Sequence, residues 1–228
     1  MSRTILLVLL AAFCGKAFAA APPEDSLAQR AAACGSCHGD QGRATRDGYY
    51  PRIAGKPAGY LYRQLLNFRN GVRHNQVMQQ MLEYLPDDYF KEMAEYFAGQ
   101  HPQYAVAPVA GADAAALQRG KALALEGDRA RDLPACAACH GDSLMGVKPD
   151  LPGLLGLPRD YLAAQIGGWR TGTRQMLAPD CMAQVVKKLT PEEVAAVTAW
   201  LSTQPVDPAK LPDEAPRQTR PLHCGAAP

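Results

Sequence analysis

Cys34-Gly35-Ser36-Cys37-His38-Gly39-Asp40 and Cys136-Ala137-Ala138-Cys139-His140-Gly141-Asp142 are the two stretches that decide how this chain is read. Each is a Cys-x-x-Cys-His run, the signature of c-type haem attachment. The spacing has a chemical reason. Two thiols add across the two vinyl groups of one haem, and two intervening residues let both sulfurs meet one porphyrin edge from a single helical turn. The following His then offers a ring nitrogen to the iron. Cys34, Cys37, Cys136 and Cys139 are therefore the expected thioether residues of two covalently bound haem c groups, with His38 and His140 as iron ligands. A Cys-x-x-Cys also occurs as half of a zinc site or as a redox dithiol. Zinc ribbons bring two pairs close together, and a redox dithiol sits in a strand–helix setting. Neither pattern surrounds these two runs.

Outward from the motifs, the chain repeats itself. Pro51 and Gly55 match Pro152 and Gly156; Tyr60, Leu61 and Gln64 match Tyr161, Leu162 and Gln165. Gly71 and Arg73 match Gly172 and Arg174, and Met78 and Leu85 match Met182 and Leu189. The expected fold is all-α, with two tandem domains of one design around two haems. Helix starts are legible at Asp25 or Ser26, at Pro86-Asp87-Asp88 and at Thr190-Pro191-Glu192-Glu193. Apolar residues from Tyr60 to Phe68 recur at helical spacing. No stretch has the alternation of a strand. Gly- and Pro-bearing segments at 42–57 and 144–158 read as long loops around the cofactors.

The sixth ligand is sought in the repeat. A thioether sulfur from Met suits low-spin iron of raised potential. The repeat selects Met78 and Met182, and Met81 and Met176 compete for the role. Met81, Met93 and Met145 read as core filler. His74, His101 and His223 have no repeat partner and read as surface residues.

The N-terminus has the form of a secretory signal. Arg3 precedes an apolar run from Ile5 to Phe13, and Ala17-Phe18-Ala19 fits a small-x-small cleavage site. The expected organisation is a signal peptide over 1–19, domains over 20–103 and 113–204, a linker over 104–112 and a Pro-rich, extended tail over 205–228. Removal of the signal leaves 22 basic and 22 acidic residues. A nucleic-acid binder needs a basic face that this balance does not supply. Export to the periplasm also places the remaining thiols in an oxidising compartment. Cys181 and Cys224 are then expected to pair as a disulfide; the alternative makes Cys181 a haem ligand or catalytic thiolate.

Taken together, these residues resemble the dihaem cytochrome c4 family. The resemblance covers nearly all of the chain between the signal and Gln204. It rests on the two Cys-x-x-Cys-His-Gly runs, Pro51-Arg52-Ile53-Ala54-Gly55, Tyr60-Leu61 with Gln64-Leu65, Phe68 to Arg73 before Met78, and Ala94-Glu95-Tyr96-Phe97. It implies two class I cytochrome c domains packed face to face, haem propionates near their junction, and His38/Met78 and His140/Met182 ligation. The chain departs from the family at Gly153, where an Arg matching Arg52 is usual, at Cys181, and in its tail. The implied work is electron carriage from a quinol-oxidising complex or periplasmic dehydrogenase to an acceptor such as a terminal oxidase, with peripheral membrane docking left open. The alternatives are a dedicated acceptor subunit for sulfide or thiosulfate oxidation, and a haem enzyme that uses Cys181.

Overall fold

The structure is a computed structural model that describes residues 25–45, 49–104, 113–207, 209–214 and 221–225. The signal segment and nearly all of the linker over 104–112 lie outside them.

Ser26 starts α1 (Leu27–His38): its hydroxyl accepts from the Gln29 N–H, and the Gln29 side chain accepts from the Ser26 N–H. This reciprocal cap satisfies two amide groups that the first turn leaves without partners. α2 (Ala58–Arg69), α3 (Gln76–Leu82) and α4 (Asp87–Ala98) follow. Asp87 and Asp88 stand at the positive end of α4. The buried faces of α1, α2 and α4 meet in a cluster of Ala31, Tyr60, Leu61, Met93, Ala94 and Phe97.

The second half repeats this plan with a change at its start. Where α1 runs unbroken into its Cys-x-x-Cys-His, the second half has α5 (Ala114–Leu125), a loop with a short 3-10 turn, and then α6 (Ala137–His140). α7 (Arg159–Thr171), α8 (Cys181–Lys188) and α9 (Pro191–Thr203) complete it. α5 crosses α9 so closely that a Cβ on Gly120 would meet the Ala196 carbonyl. Leu123, Leu133, Leu157, Leu162, Leu189 and Val197 belong to the core beneath that crossing.

One expectation needs correction. Residues 144–158 are not purely loop: β1 (Gly146–Val147) pairs antiparallel with β2 (Leu151–Pro152). A hairpin of two-residue strands is too short to show alternation in a sequence. Met81 also departs from the core-filler reading, being 56% exposed, whereas Met93 and Met145 are buried. His74, His101 and His223 are exposed. Among the described residues, no helix is long and apolar enough to cross a membrane.

Candidate haem sites and the junction between them

Both attachment runs end a helix. His38 is the last residue of α1 and His140 the last of α6. The next residue must leave the helix at positive φ, which Gly39 (77°) and Gly141 (85°) do without a Cβ penalty. The chain then turns back so that a proline carbonyl faces each imidazole. His38 Nδ1 lies 2.9 Å from the Pro51 oxygen, and His140 Nδ1 lies 2.7 Å from the Pro152 oxygen. A carbonyl only accepts, so Nδ1 carries the proton and Nε2 keeps its lone pair for a metal. Burial also lowers both imidazole pKa values, more than the proline carbonyls raise them, and so favours the neutral, ligating form. Burial pushes the Cys136 thiol up to about 11 and raises Cys34. None of the four motif cysteines is in a disulfide.

Met78 and Met182 occupy matching places, each half-buried in the first turn of a short helix. Asn75 caps α3 by accepting from the Met78 N–H at 3.1 Å. Asp180 caps α8 by accepting from the Ala183 N–H at 2.9 Å, and its other oxygen takes the Met176 N–H. Cys181, directly before Met182, is bonded to Cys224, so it has no thiolate to offer.

The junction between the halves is made by polar residues that the repeat had matched, and their joint role was not read from the sequence. Arg73 and Arg174 pair across the halves as an isolated antiparallel bridge, and the His74 N–H donates to the Thr173 carbonyl. Arg73 donates to Gln64 (2.8 Å) and, across the junction, to Gln165 (2.5 Å). Arg174 donates to Gln165 (2.5 Å) and, across the junction, to the Tyr60 hydroxyl (3.2 Å). Arg63 forms an ion pair with Asp150 of the other half. Two polar residues in each half that keep their place without ligating anything were the available signal.

Arg52 is 2% exposed and donates to the Ala54, Pro102 and Gln103 carbonyls. Its guanidinium lies 3.6 Å from the Tyr104 ring centre. Gly153 holds the matching place in the second half because the hairpin brings the Met145 carbonyl to 2.5 Å from where a Cβ would stand. No side chain fits there, which accounts for the missing Arg.

Lys56 shares this region. Burial brings its ammonium down to about 8. Burial alone would raise Tyr60, but the guanidiniums of Arg174 and Arg73 outweigh it and bring the phenol to about 8. Among the described residues, the ion pairs formed do not include Arg52, Lys56, Arg73 or Arg174. Of these, Arg52 and Arg174 are buried, and buried cations need anions close by. Haem carboxylates brought to the junction would meet that need. The chain therefore fits two haems on three independent counts: motif cysteines that are outside any disulfide, imidazoles whose Nδ1 contacts leave Nε2 its lone pair, and a cationic junction.

Residues 117–205 match the family model for cytochrome c. Over 193 residues the chain is 38% identical to the thiosulfate dehydrogenase electron acceptor of Thiomonas intermedia (strain K12), covering 85% of each. It is 32% identical to cytochrome c4 of Pseudomonas aeruginosa, over 75% of this chain and 84% of that one. Reduced recombinant cytochrome c4 from Pseudomonas stutzeri superposes with a TM-score of 0.68 at 27% identity, over 80% of this chain and 98% of that one. The thiosulfate dehydrogenase (TsdBA) of Marichromatium purpuratum also superposes at 0.68, with 35% identity over 75% of this chain, which spans 36% of that protein.

Proposed function

The chain belongs to the dihaem cytochrome c4 family, and from that premise we propose how its own residues carry electrons and which partner supplies them. Its two haem c groups supply the one-electron Fe(III)/Fe(II) couple when bound. Cys34 and Cys37 hold one haem and Cys136 and Cys139 the other. His38 with Met78, and His140 with Met182, complete the two iron coordination spheres. The proline carbonyls at Pro51 and Pro152 fix the imidazole tautomer and ring orientation. Arg73, Arg174 and Lys56 neutralise haem carboxylates, and positive charge near an iron favours its reduced state. Residues 20–103 and 113–204 act as two haem domains, each with its own buried cluster.

The observation that carries this reading is the matched pair of imidazoles, each held by a proline carbonyl at the end of a Cys-x-x-Cys-His helix. The place of work is the periplasm, reached by cleavage of the 1–19 signal. The donor is a thiosulfate-oxidising dehydrogenase, a reading favoured by the names of the relatives at 38% and 37% identity. Passage of electrons onward to a terminal oxidase completes the route, and the protein itself performs no catalysis. A general carrier with a quinol-oxidising donor is the second reading, supported by the relatives named cytochrome c4.

Visible spectra of the ferric and reduced protein, with carbon monoxide added to the reduced form, test the ligation. Two low-spin haems with the far-red Met-to-iron band and no carbon monoxide uptake are expected. Met78→Ala and Met182→Ala should each remove part of that band. Rapid mixing with a thiosulfate dehydrogenase and thiosulfate tests the donor. Reduction no faster than with an unrelated dehydrogenase returns the protein to the general carrier role.

A further inference from the structure

Haem-ligating loops differ between the halves in one respect. Arg73 and Met78 are five residues apart, whereas Arg174 and Met182 are eight apart. A longer loop has more conformations to lose when its end is placed. Among the described residues, a covalent tie at that end is found in the second half. Cys224 of the C-terminal tail is bonded to Cys181, the first residue of α8 and the neighbour of Met182. The Gly225 N–H donates to the Pro179 carbonyl at 3.1 Å, on the other side of the Asp180 cap. Both cysteines are buried, at 7% exposure. Val77, the residue that precedes Met78 in the first half, is 56% exposed.

The tail has a second anchor on the imidazole side of the same site. Asp213 pairs with Val147 in a parallel bridge. The Lys148 N–H donates to the Asp213 carbonyl at 2.7 Å, and the Asp213 N–H donates to the Gly146 carbonyl at 2.9 Å. Lys148 also forms an ion pair with Glu214 at 2.7 Å. The hairpin held in this way ends at Pro152, whose carbonyl orients His140. Asp213 and Glu214 of one tail are therefore fastened to the hairpin whose Pro152 carbonyl faces His140, and Cys224 and Gly225 to the turn that carries Met182; the described residues of the first half have no such fastening.

We propose that the C-terminal tail is a strap that holds the Met182-bearing turn in place on the second haem site, with Cys181 and Cys224 as positioning residues. The proposal rests on the His140/Met182 ligation argued above. Met78 is held by its shorter loop, with the His74 bond to Thr173, and by the Asn75 cap, and among the described residues no disulfide joins that loop. The two irons then differ in how readily the Met ligand yields: the second is locked for as long as the disulfide is intact.

The test uses the full-length, haem-loaded protein with both cysteines changed, Cys181→Ser with Cys224→Ser, so that no new thiol competes for iron. The first haem serves as internal control. The unaltered reduced protein should take up no carbon monoxide. The double variant should take up about one per chain, with about half of the ferric far-red band weakened. Asp213→Pro removes the N–H that reaches Gly146 and should produce a smaller uptake. If the double variant is not recovered with two haems, the unaltered protein treated with a phosphine reductant, which is oxidised to its oxide as the disulfide gains two electrons and two protons, must lose about half of its ferric far-red band, a readout that a new thiol on the iron cannot mask. An intact band and no uptake in both the altered and the phosphine-treated protein would overturn the strap while leaving Met182 as ligand. Uptake at the second haem of the unaltered protein would overturn the ligation and the strap together.

Discussion

Arg174 in one half of the chain donates a hydrogen bond to the hydroxyl of Tyr60 in the other, at 3.2 Å, from a position only 7% exposed. The contact links two residues 114 positions apart and places a cation at the junction of the two halves. Arg73 reaches Gln165 in the opposite direction. The repeat residues of each half thus serve the other half as well as their own.

If the guanidinium of Arg174 favours the reduced irons, Arg174→Gln should lower at least one midpoint potential by tens of millivolts, the scale of one charge at partial burial. Spectroelectrochemical titration measures it. Lys121→Gln, at an exposed helical position, should leave both potentials in place.

The Arg63–Asp150 pair ties α2 to the turn of the β1–β2 hairpin, and its side chains are 24% and 14% exposed. Asp150→Asn leaves Arg63 short of its anion and should cost about 1–3 kcal/mol. Calorimetry should show the unfolding of the two halves separating. A single unshifted transition would mean that the pair does not couple them.

Gly153→Ala puts a methyl group against the Met145 carbonyl and should cost about 1–3 kcal/mol in thermal unfolding. Gly167→Ala, in α7 with nothing within 4 Å of the added carbon, should be neutral or stabilising by about 0.5–1 kcal/mol. Equal effects would argue against the hairpin as the reason for the missing Arg.

Glu193 closes the α9 capping box and accepts from Arg131 and Arg119. The hydrogen bond from Arg131, opposed by burial and aided by Arg119, holds its carboxyl at about 2 against an ordinary 4.5. A carboxylate with a lowered folded-state pKa stabilises above the ordinary value and loses that contribution as pH falls through the folded one. Both arginines are partly exposed, so the contribution at neutral pH is about 1–2 kcal/mol after solvent screening. Glu193→Gln should lower Tm at pH 7 and flatten its fall between about pH 4.5 and 2.

Helix starts were legible because their signals are local. Ser26 with Gln29 and Thr190 with Glu193 are reciprocal caps three residues apart, and each begins a helix. The hairpin at 146–152 was not legible, because its reason is the tail bridge at Asp213 and the close approach of Met145, both far from it or invisible in its composition. The all-helical reading therefore missed it. Met81 was misread for a related reason. Apolar character and helical spacing say that a residue can be buried, and packing decides whether it is.

From the sequence alone, two Cys-x-x-Cys-His runs and a repeat determined the cofactor class, the helical fold and the candidate axial residues, because covalent haem chemistry needs fixed residue types at fixed local spacing. Only the tertiary structure decided that Pro51 and Pro152 orient the imidazoles. It also decided that Arg73, Arg174, Gln64, Gln165 and Tyr60 form one junction, and that the tail, expected to reach Cys181 through Cys224, is also fastened to the hairpin at Val147. These contacts join residues from nine to more than a hundred positions apart, and burial of shared surface, rather than local propensity, brings them together.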